Sequence, residues 1–223
     1  MSTPKVVIGT VHPDSVDAQF CACLAATLTE DTRGLLPFRG RVMMSRAPAG
    51  MIHVARNEVI RGFLAHPLRP DYLLFIDTDI TWEPDQVWSL VDTATTHDLP
   101  AVSGLIAFCQ QDEDGPSDPI LMLYDNDFKL VPLSADVQRV FCAGMGFMLL
   151  RRDALEACAA AYRWPTPWFD YGHRNGKAVS EDVIFSQRLL DLNIPVHVDT
   201  RIVVGHRKTH TFKHSQVGAC LSV

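Results

Sequence analysis

The sequence lacks an apolar run of the length that a membrane-spanning helix needs, which is about 20 residues. Its first five residues, Met-Ser-Thr-Pro-Lys, lead into a short strand-like segment and carry no apolar stretch of the signal-peptide kind. A membrane span and a secreted protein are therefore not expected. We expect a soluble, cytoplasmic protein.

Cysteine pairs and an excess of basic charge are also missing. The six cysteines include no Cys-x-x-Cys pair, so neither a disulfide framework nor a cysteine metal site is indicated. The chain has 20 basic and 26 acidic residues and a net charge of −6, which argues against tight nonspecific binding to nucleic acid. The exception is residues 201–223, which hold basic residues and histidines but no acid. That tail is either a solvated terminus or a surface for an anionic partner.

Strand-like and helix-like segments alternate along the 223 residues, with no internal repeat and no linker. This pattern is typical of a single α/β domain in which helices flank a mostly parallel sheet. The expected strands include residues 6–10, 42–44, 72–76, 139–150 and 196–204, and the strand at 139–150 is interrupted by Gly144 and Gly146. The expected helices are 17–29, 51–65, 84–97, 152–162 and 180–192.

Two aspartates follow the most strand-like run, which covers residues 72–76. Asp77 and Asp79 lie at the carboxyl end of that strand, where open α/β sheets bind ligands. Two carboxylates in one turn can face a hard cation that keeps further positions for phosphates. The alternative is that Asp79 or Thr81 only caps the next helix.

A histidine follows the last expected strand. His206 comes after an apolar run and Gly205, so its neutral imidazole can complete a metal site with Asp79. Lys208 and Arg207 can screen a diphosphate leaving group. The alternative for His206 is an ordinary surface histidine in a basic tail.

An acidic pair opens the helix that follows an aromatic-rich loop. Glu181 and Asp182 come after Ser180, a residue type that caps helices, and acids in a first turn suit the helix dipole without any catalysis. A carboxylate beside aromatics that stack on sugars can also take a proton from an acceptor hydroxyl. The aromatics of the loop are Trp164, Trp168, Phe169 and Tyr171.

Two other segments carry candidate ligand contacts. Gly144 and Gly146 either let a ligand approach the backbone closely or form a bulge. Arg56 and Asn57 lie on the helix that precedes the acidic strand, where they are either binding residues or surface polar residues.

Taken in order, these segments resemble the glycosyltransferases of the GT-A fold, particularly the family-2-like group. The resemblance covers nearly the whole chain and rests on an ordered set of motifs, in which residues 77–79 match the family's DxD motif. The motifs are residues 6–10, Ala55-Arg56-Asn57-Glu58, Leu73-Leu74-Phe75-Ile76-Asp77-Thr78-Asp79, residues 143–152, Glu181-Asp182 with Phe185 and Arg188, and Gly205-His206.

The resemblance implies a Rossmann-like GT-A domain that uses Mn²⁺ or Mg²⁺ and a nucleotide-sugar donor, UDP- or GDP-linked. Residues 1–108 would form the nucleotide-binding half and residues 109–223 the acceptor-binding half. The acceptor would be a glycan, a small molecule, a protein or a modified nucleic-acid base.

The resemblance also implies roles for single residues. Asp79 and His206 would bind the metal, and Asp77 would contact the donor ribose or the metal's water. Asp182, with Glu181 beside it, would supply the general base of an inverting enzyme. The remaining implied contacts are Thr10, Arg56, Asn57 and Lys208 to the donor, and Gly144, Gly146 and Trp168 to the donor sugar or the acceptor. The Thr10-Val11-His12-Pro13 segment departs from the family's usual lead.

Three other functions use the same residues. Asp77-Thr78-Asp79-Ile80-Thr81 fits the pattern of haloacid-dehalogenase-like phosphatases, although their acidic motif normally follows the first strand of the domain. A sugar nucleotidyltransferase would have a similar fold, but its glycine-rich, basic opening loop is missing. A carbohydrate-binding module without catalysis is the third alternative.

Overall fold

The computed structural model describes residues 3–36, 42–47, 51–108, 111–112, 115–116, 120–121, 125, 129, 132–174 and 176–207. The helices are α1 (Ala18–Thr29), α2 (Ile52–Leu64), α3 (Pro84–Thr96), α4 (Arg152–Ala161) and α5 (Glu181–Asp191). The strands are β1 (Val6–His12), β2 (Val42–Arg46), β3 (Tyr72–Ile76), β4 (Ile80–Thr81), β5 (Ala101–Phe108), β6 (Gln111–Asp112), β7 (Gly115–Pro116), β8 (Ile120–Leu121), β9 (Val137–Val140), β10 (Phe147–Arg151), β11 (Gly172–Arg174), β12 (Lys177–Val179) and β13 (Val196–His206).

Nine of these strands form one sheet in the order β2-β1-β3-β10-β5-β13-β4, with β8 beside β5 and β9 beside β13. β1 pairs in parallel with β2 and β3, and β5 pairs in parallel with β13. β10 lies antiparallel between β3 and β5. The expected mixed, mostly parallel sheet flanked by helices is therefore confirmed. Because β10 is inserted between β3 and β5, residues 1–108 and 109–223 share this sheet.

The central strand β3 is buried on both faces, which explains its continuous apolar sequence. Leu73 and Phe75 pack into one hydrophobic cluster, with residues of α2. Tyr72, Leu74 and Ile76 pack into a second cluster, with residues of α3. The alternation of side chains along a strand thus divides the core into two layers, one on each face of the sheet.

All five expected helices are present within a residue or two of their expected ends. α3 begins with Pro84 in its first turn, and the side chain of Gln86 accepts a hydrogen bond of 2.9 Å from the backbone N–H of Glu83. Among the described residues, no helix is both long and apolar enough to cross a membrane.

The single strand expected at 139–150 is wrong, although the interruption expected at Gly144 and Gly146 lies within the observed break. The structure divides this segment into β9, which pairs with β13, and β10, which pairs with β3 and β5. The two strands have different neighbours, so the chain must cross between β9 and β10, and residues 141–146 make that crossing. Apolar residues continue through the crossing because it is buried, so hydrophobicity alone does not reveal the break.

The direction of the strands determines where ligands can bind. β1, β2, β3, β5 and β13 run the same way, so their carboxyl ends lie at one edge of the sheet. Thr10 lies near the end of β1, Asp77 directly follows β3, and His206 ends β13. The sheet therefore brings these residues to its ligand-binding edge.

Candidate active site at the carboxyl edge of the sheet

The turn that holds the two aspartates is fixed by its backbone. The N–H of Asp77 donates to the carbonyl of Gly146 at 3.0 Å, and the N–H of Ile80 donates to the carbonyl of Asp77 at 3.0 Å. β4 then pairs with the end of β13, with Ile80 opposite His206. The turn is thus held between the loop before β10 and the last strand.

Asp79 faces His206 across this pairing. The Oδ2 atom of Asp79 lies 3.1 Å from Nε2 of His206, and the N–H of Arg207 donates to the carbonyl of Asp79 at 2.8 Å. The residue that caps α3 is Glu83. The alternative, in which Asp79 only caps the next helix, is therefore wrong.

Gly205 permits the contact between Asp79 and His206. A Cβ atom at Gly205 would lie 2.2 Å from Oγ1 of Thr81, which is closer than two such atoms can approach. With the Thr81 hydroxyl in this position, a side chain at position 205 would push β13 away from β4. We did not predict this role from the sequence, although the Gly-His pair at the end of an apolar run was its signal.

The residues at this turn fit a metal ion that is also held by phosphate. Asp79 supplies carboxylate oxygen and His206 supplies imidazole nitrogen, two ligand types that suit Mn²⁺. Nowhere in the described part of the chain do three His, Cys, Asp or Glu side chains gather into a metal-binding group. Asp77 bonds to Arg56, and its role as a third metal ligand stays a prediction. Small divalent ions commonly take one or two protein ligands and complete their coordination with phosphate oxygens and water.

Arg56 lies at the centre of a second cluster, which we call the Arg56 cluster: Arg56, Asp77, Glu181 and Asp182. The Nη1 atom of Arg56 donates to Glu181 at 3.0 Å and to Asp182. Its Nη2 atom donates to both carboxylate oxygens of Asp77 at 3.1 Å. Arg56 is only 2% exposed, and its guanidinium lies 5.5 Å from the centre of the Phe169 ring. The arginine thus joins α2, the turn after β3 and the start of α5.

Burial and the charges of this cluster together shift the pKa values of Arg56 and Asp182. Burial acts to lower the pKa of Arg56, but the surrounding carboxylates of Asp77, Asp182 and Glu181 outweigh it and raise that pKa. Burial raises the pKa of Asp182 to about 6; Arg56 opposes this shift, whereas Glu181 and Asp77 add to it. A carboxylate whose pKa lies near neutrality is suited to accept a proton during a reaction.

Glu181 and Asp182 differ in their access to solvent. The side chain of Glu181 is 9% exposed and that of Asp182 is 21% exposed. Asp182 is therefore the more accessible member of the acidic pair. Glu181 balances the charge of Arg56 from inside, which does not support a direct catalytic contact for it.

Thr10 is fully buried on β1, and its hydroxyl has no hydrogen-bond partner among the described residues. The register pairs Gly9 with Phe75, so Thr10 is level with Ile76. Asp77 is the next residue after Ile76, so Thr10 lies close to the sheet edge at which Asp77 is placed. Leaving a buried hydroxyl without a partner is unfavourable. Thr10 is thus a candidate for a ligand contact at this edge. Lys208 lies outside the described residues.

Asn57 and Trp168 have structural roles instead of the expected contacts with donor and sugar. Asn57 is fully buried, its Nδ2 donates to the carbonyls of His53 at 2.6 Å and Phe169 at 2.8 Å, and its Oδ1 accepts from the N–H of Trp168 at 3.3 Å. Trp168 is 2% exposed, and its indole N–H donates to the carbonyl of Leu155 at 2.8 Å. Both residues fasten the aromatic loop to the core, so neither presents a surface to a ligand.

The two glycines before β10 differ in how much room there is for a side chain at each position. A Cβ atom at Gly146 would lie 3.2 Å from Cγ1 of Ile80, a tight contact beside the acidic turn. At Gly144 the nearest atom would be Cδ1 of Ile106 at 3.7 Å, an ordinary contact. Packing therefore accounts for Gly146 but leaves room for a side chain at Gly144, where a ligand contact remains a prediction.

No protein-family model and no curated protein matches the chain. Solved structures do match it. The structure of A197 from STIV is 17% identical with a TM-score of 0.54, and the match covers 94% of this chain and 98% of that one. The structure of GalNAc-T7 with UDP, GalNAc and Mn²⁺ is 10% identical with a TM-score of 0.60 and covers 92% of this chain.

The match covers 44% of the GalNAc-T7 chain, so this chain corresponds to less than half of that protein. A third match is CMP:2-keto-3-deoxy-manno-octonic acid synthetase complexed with CTP, at 13% identity and a TM-score of 0.49, over 97% of this chain and 96% of that one. At such low identities, structural similarity is evidence of fold only. The expected GT-A-like fold is confirmed, and membership of the family-2-like group stays a prediction.

Proposed function

We propose that the chain is a metal-dependent glycosyltransferase that moves a sugar from a nucleotide-sugar donor to an acceptor hydroxyl. One observation carries the proposal: the Asp79–His206 pair and the Arg56 cluster lie on the two sides of one short turn, at the carboxyl edge of the sheet. The first is a place for a metal and a diphosphate, and the second presents a carboxylate of raised pKa. The likeness in fold to GalNAc-T7, whose structure holds UDP, GalNAc and Mn²⁺, supports the same assignment.

The donor would occupy the edge formed by residues 1–108. Asp79 and His206 would hold Mn²⁺ or Mg²⁺, which neutralises a diphosphate and makes it a better leaving group. Asp77, held by Arg56, would accept hydrogen bonds from the donor ribose, and the unpaired hydroxyl of Thr10 would bond to the nucleotide. UDP- and GDP-linked sugars are the donors to test first.

The acceptor would be bound by residues 109–223, with Asp182 as the general base of an inverting transfer. In this reaction Asp182 takes the proton from the acceptor hydroxyl as that oxygen attacks the anomeric carbon. Arg56 fixes the position of the carboxylate through Nη1, the same atom that donates to Glu181. The partial exposure of Asp182 lets the proton pass to solvent afterwards.

The haloacid-dehalogenase-like alternative fits these contacts less well. A phosphatase of that type uses the first aspartate as a nucleophile, but both oxygens of Asp77 accept hydrogen bonds from Arg56. Asp77 also follows the third strand of the chain and not the first. A sugar nucleotidyltransferase differs in its products, because it joins a nucleotide to a sugar and releases pyrophosphate.

The test is a thermal-shift titration of the purified chain with UDP, GDP, CDP and their sugar conjugates, each with Mn²⁺, Mg²⁺ or EDTA. We expect one nucleotide to stabilise the protein only when metal is present, by about 2.7 kcal/mol at a hundred times its Kd. Asp79→Ala should lose this stabilisation. Asp92→Ala is the matched control, because Asp92 also pairs with a basic side chain, Arg33, but lies outside the site.

The products of the reaction then separate the candidate functions. A glycosyltransferase supplied with the stabilising nucleotide sugar releases the nucleoside diphosphate, whereas a nucleotidyltransferase supplied with a nucleoside triphosphate and a sugar releases pyrophosphate. Absence of stabilisation by any nucleotide, or equal stabilisation of Asp79→Ala and the wild type, would contradict the proposal.

A further inference from the structure

Two aromatic side chains of the loop before β11 are exposed. Trp168 and Phe169 are buried, whereas Trp164 is 64% and Tyr171 is 48% exposed. The guanidinium of Arg61 lies 4.4 Å from the centre of the Trp164 ring and covers one of its faces. Tyr171 is therefore the better candidate for a contact with a ligand.

The chain path places Tyr171 next to the acidic pair. β11 and β12 form a hairpin in which Gly172 pairs with Val179, so Tyr171 and Ser180 are the next residues along the two strands. Ser180 directly precedes Glu181 and Asp182. A Cβ atom at Gly172 would lie 2.6 Å from Cδ1 of Ile184, so this hairpin lies directly against α5.

The Tyr171 ring is also held from the side of α2. The rings of His53 and Tyr171 make an edge contact, with centres 4.8 Å apart and planes at 65°. His53 is three residues before Arg56 on α2, which puts both residues on one side of that helix. Burial raises the pKa of Tyr171, and the charges of Glu181, Arg56 and Asp182 also act on it, as expected for a ring beside the Arg56 cluster.

We propose that Tyr171, held by His53, is the stacking surface for the acceptor, and that this acceptor is a neutral carbohydrate. This inference rests on the proposed function, in which Asp182 receives the acceptor's proton. An aromatic ring beside a catalytic carboxylate can pack against the apolar C–H face of a sugar ring and direct one hydroxyl toward the carboxylate.

The charge of the Arg56 cluster favours a neutral acceptor over nucleic acid. Three carboxylates surround one guanidinium, so the cluster holds more negative than positive charge. A phosphate-bearing strand that brought a base to Tyr171 would be repelled by this charge. The charge of the Arg56 cluster thus disfavours one of the acceptor classes that the sequence left open.

The test measures binding of methyl glycosides by saturation-transfer NMR, in the presence of Mg²⁺ and the nucleoside diphosphate found by thermal shift. The panel contains both anomers of methyl glucoside, galactoside, mannoside, N-acetylglucosaminide and N-acetylgalactosaminide. Its nucleic-acid member is a short single-stranded oligonucleotide that contains 5-hydroxymethylcytosine. We expect saturation to pass to the ring protons of at least one glycoside. Tyr171→Ala should raise its half-saturating concentration roughly tenfold, as expected for the loss of one aromatic stacking contact.

Two variants control for the ring and for the loop. Tyr171→Phe keeps the ring and should bind within about twofold of the wild type, because stacking needs the ring face and not the hydroxyl. Trp164→Ala removes the other exposed aromatic of the loop and should leave glycoside binding unchanged. Metal-dependent stabilisation by the nucleotide should be the same in all three variants.

The outcomes separate this inference from the proposed function. If the nucleotide binds but Tyr171→Ala binds the glycoside as well as the wild type does, the stacking surface is refuted and the function stands. If no nucleotide binds, the titration is made without one, and loss of glycoside binding in Tyr171→Ala supports the surface while the transferase is refuted. Binding of the oligonucleotide alone, or of no panel member, overturns the carbohydrate assignment.

Discussion

Replacement of Arg56 by methionine tests whether one buried cation holds the site together. Arg56 is 2% exposed and is the shared partner of Asp77, Glu181 and Asp182. Methionine fills much of the same space without a charge. The substitution therefore leaves three carboxylates close together at the sheet edge, each having lost its bond to the guanidinium.

The expected cost follows from the burial of the pair. Removing one partner of a buried ion pair typically costs about 3–5 kcal/mol, because the remaining charge is left uncompensated. We expect a loss in this range at pH 7. The same substitution at Arg33, whose two-bond contact with Asp92 is exposed on both sides, should cost about 1 kcal/mol or less.

The loss of stability caused by Arg56→Met should also depend on pH, and the pKa of Asp182 determines the direction of this dependence. Its pKa in the folded protein is raised to about 6. Since its unfolded value is about 3.9, the stability linked to this group is present below about pH 4 and is lost as the pH rises through the folded pKa. Arg56 acts to lower that pKa, so Arg56→Met raises it further and makes the loss of stability with rising pH steeper.

The assay is urea denaturation of the wild type, Arg56→Met and Arg33→Met at pH 5 and pH 7. The midpoints of unfolding are compared only if the dependence of the unfolding free energy on urea concentration is the same for all three proteins. The cost of Arg56→Met should be smaller at pH 5, and addition of Asp182→Asn should recover part of it at pH 7. The reasoning is refuted if Arg56→Met costs no more than Arg33→Met at pH 7, or if its cost is the same at both values of pH.

Two other predictions concern the base and the metal side of the site. Asp182→Asn should keep metal-dependent nucleotide binding but lose transfer, and the wild-type rate should rise with pH through about 6 as the carboxylate loses its proton; full activity of the variant in a product assay would contradict this role. Gly205→Ala should weaken metal-dependent nucleotide binding in a thermal-shift titration, because its Cβ would lie 2.2 Å from Oγ1 of Thr81 and push His206 away from Asp79. Thr81→Ala removes that oxygen and should restore binding to the Gly205→Ala variant; failure of this rescue would disprove the steric explanation.

The sequence predicts the layered fold well because local patterns determine it. The apolar run of β3, the proline at the start of α3 and the alternation of strands with helices are all readable along the chain. The acidic pair at 77–79 is placed correctly at the sheet edge for the same reason. The glycines at 144 and 146 indicate an interruption, but the separation into β9 and β10 escapes prediction because it depends on which strands become neighbours.

The chemistry of the site is less predictable because its partners are distant in sequence. Arg56 and Glu181 are 125 positions apart, and no local pattern indicates that they meet. The family resemblance implied that Asn57 and Trp168 bind the donor and the sugar. Their hydrogen bonds to buried backbone groups, which only the fold reveals, give them structural roles instead.

Asp77 and Asp79 are only two positions apart, but their side chains have different partners. The sequence suggests that both carboxylates face one cation, but Asp77 bonds to Arg56 while Asp79 contacts His206. The turn between them therefore connects two sites of different charge balance. On one side a guanidinium already compensates part of the carboxylate charge; on the other, Asp79 faces an imidazole, which carries a positive charge only when protonated. A divalent ion is therefore expected to bind on the Asp79 side, and a shift of the turn caused by loss of Arg56 would disturb the metal and the base together.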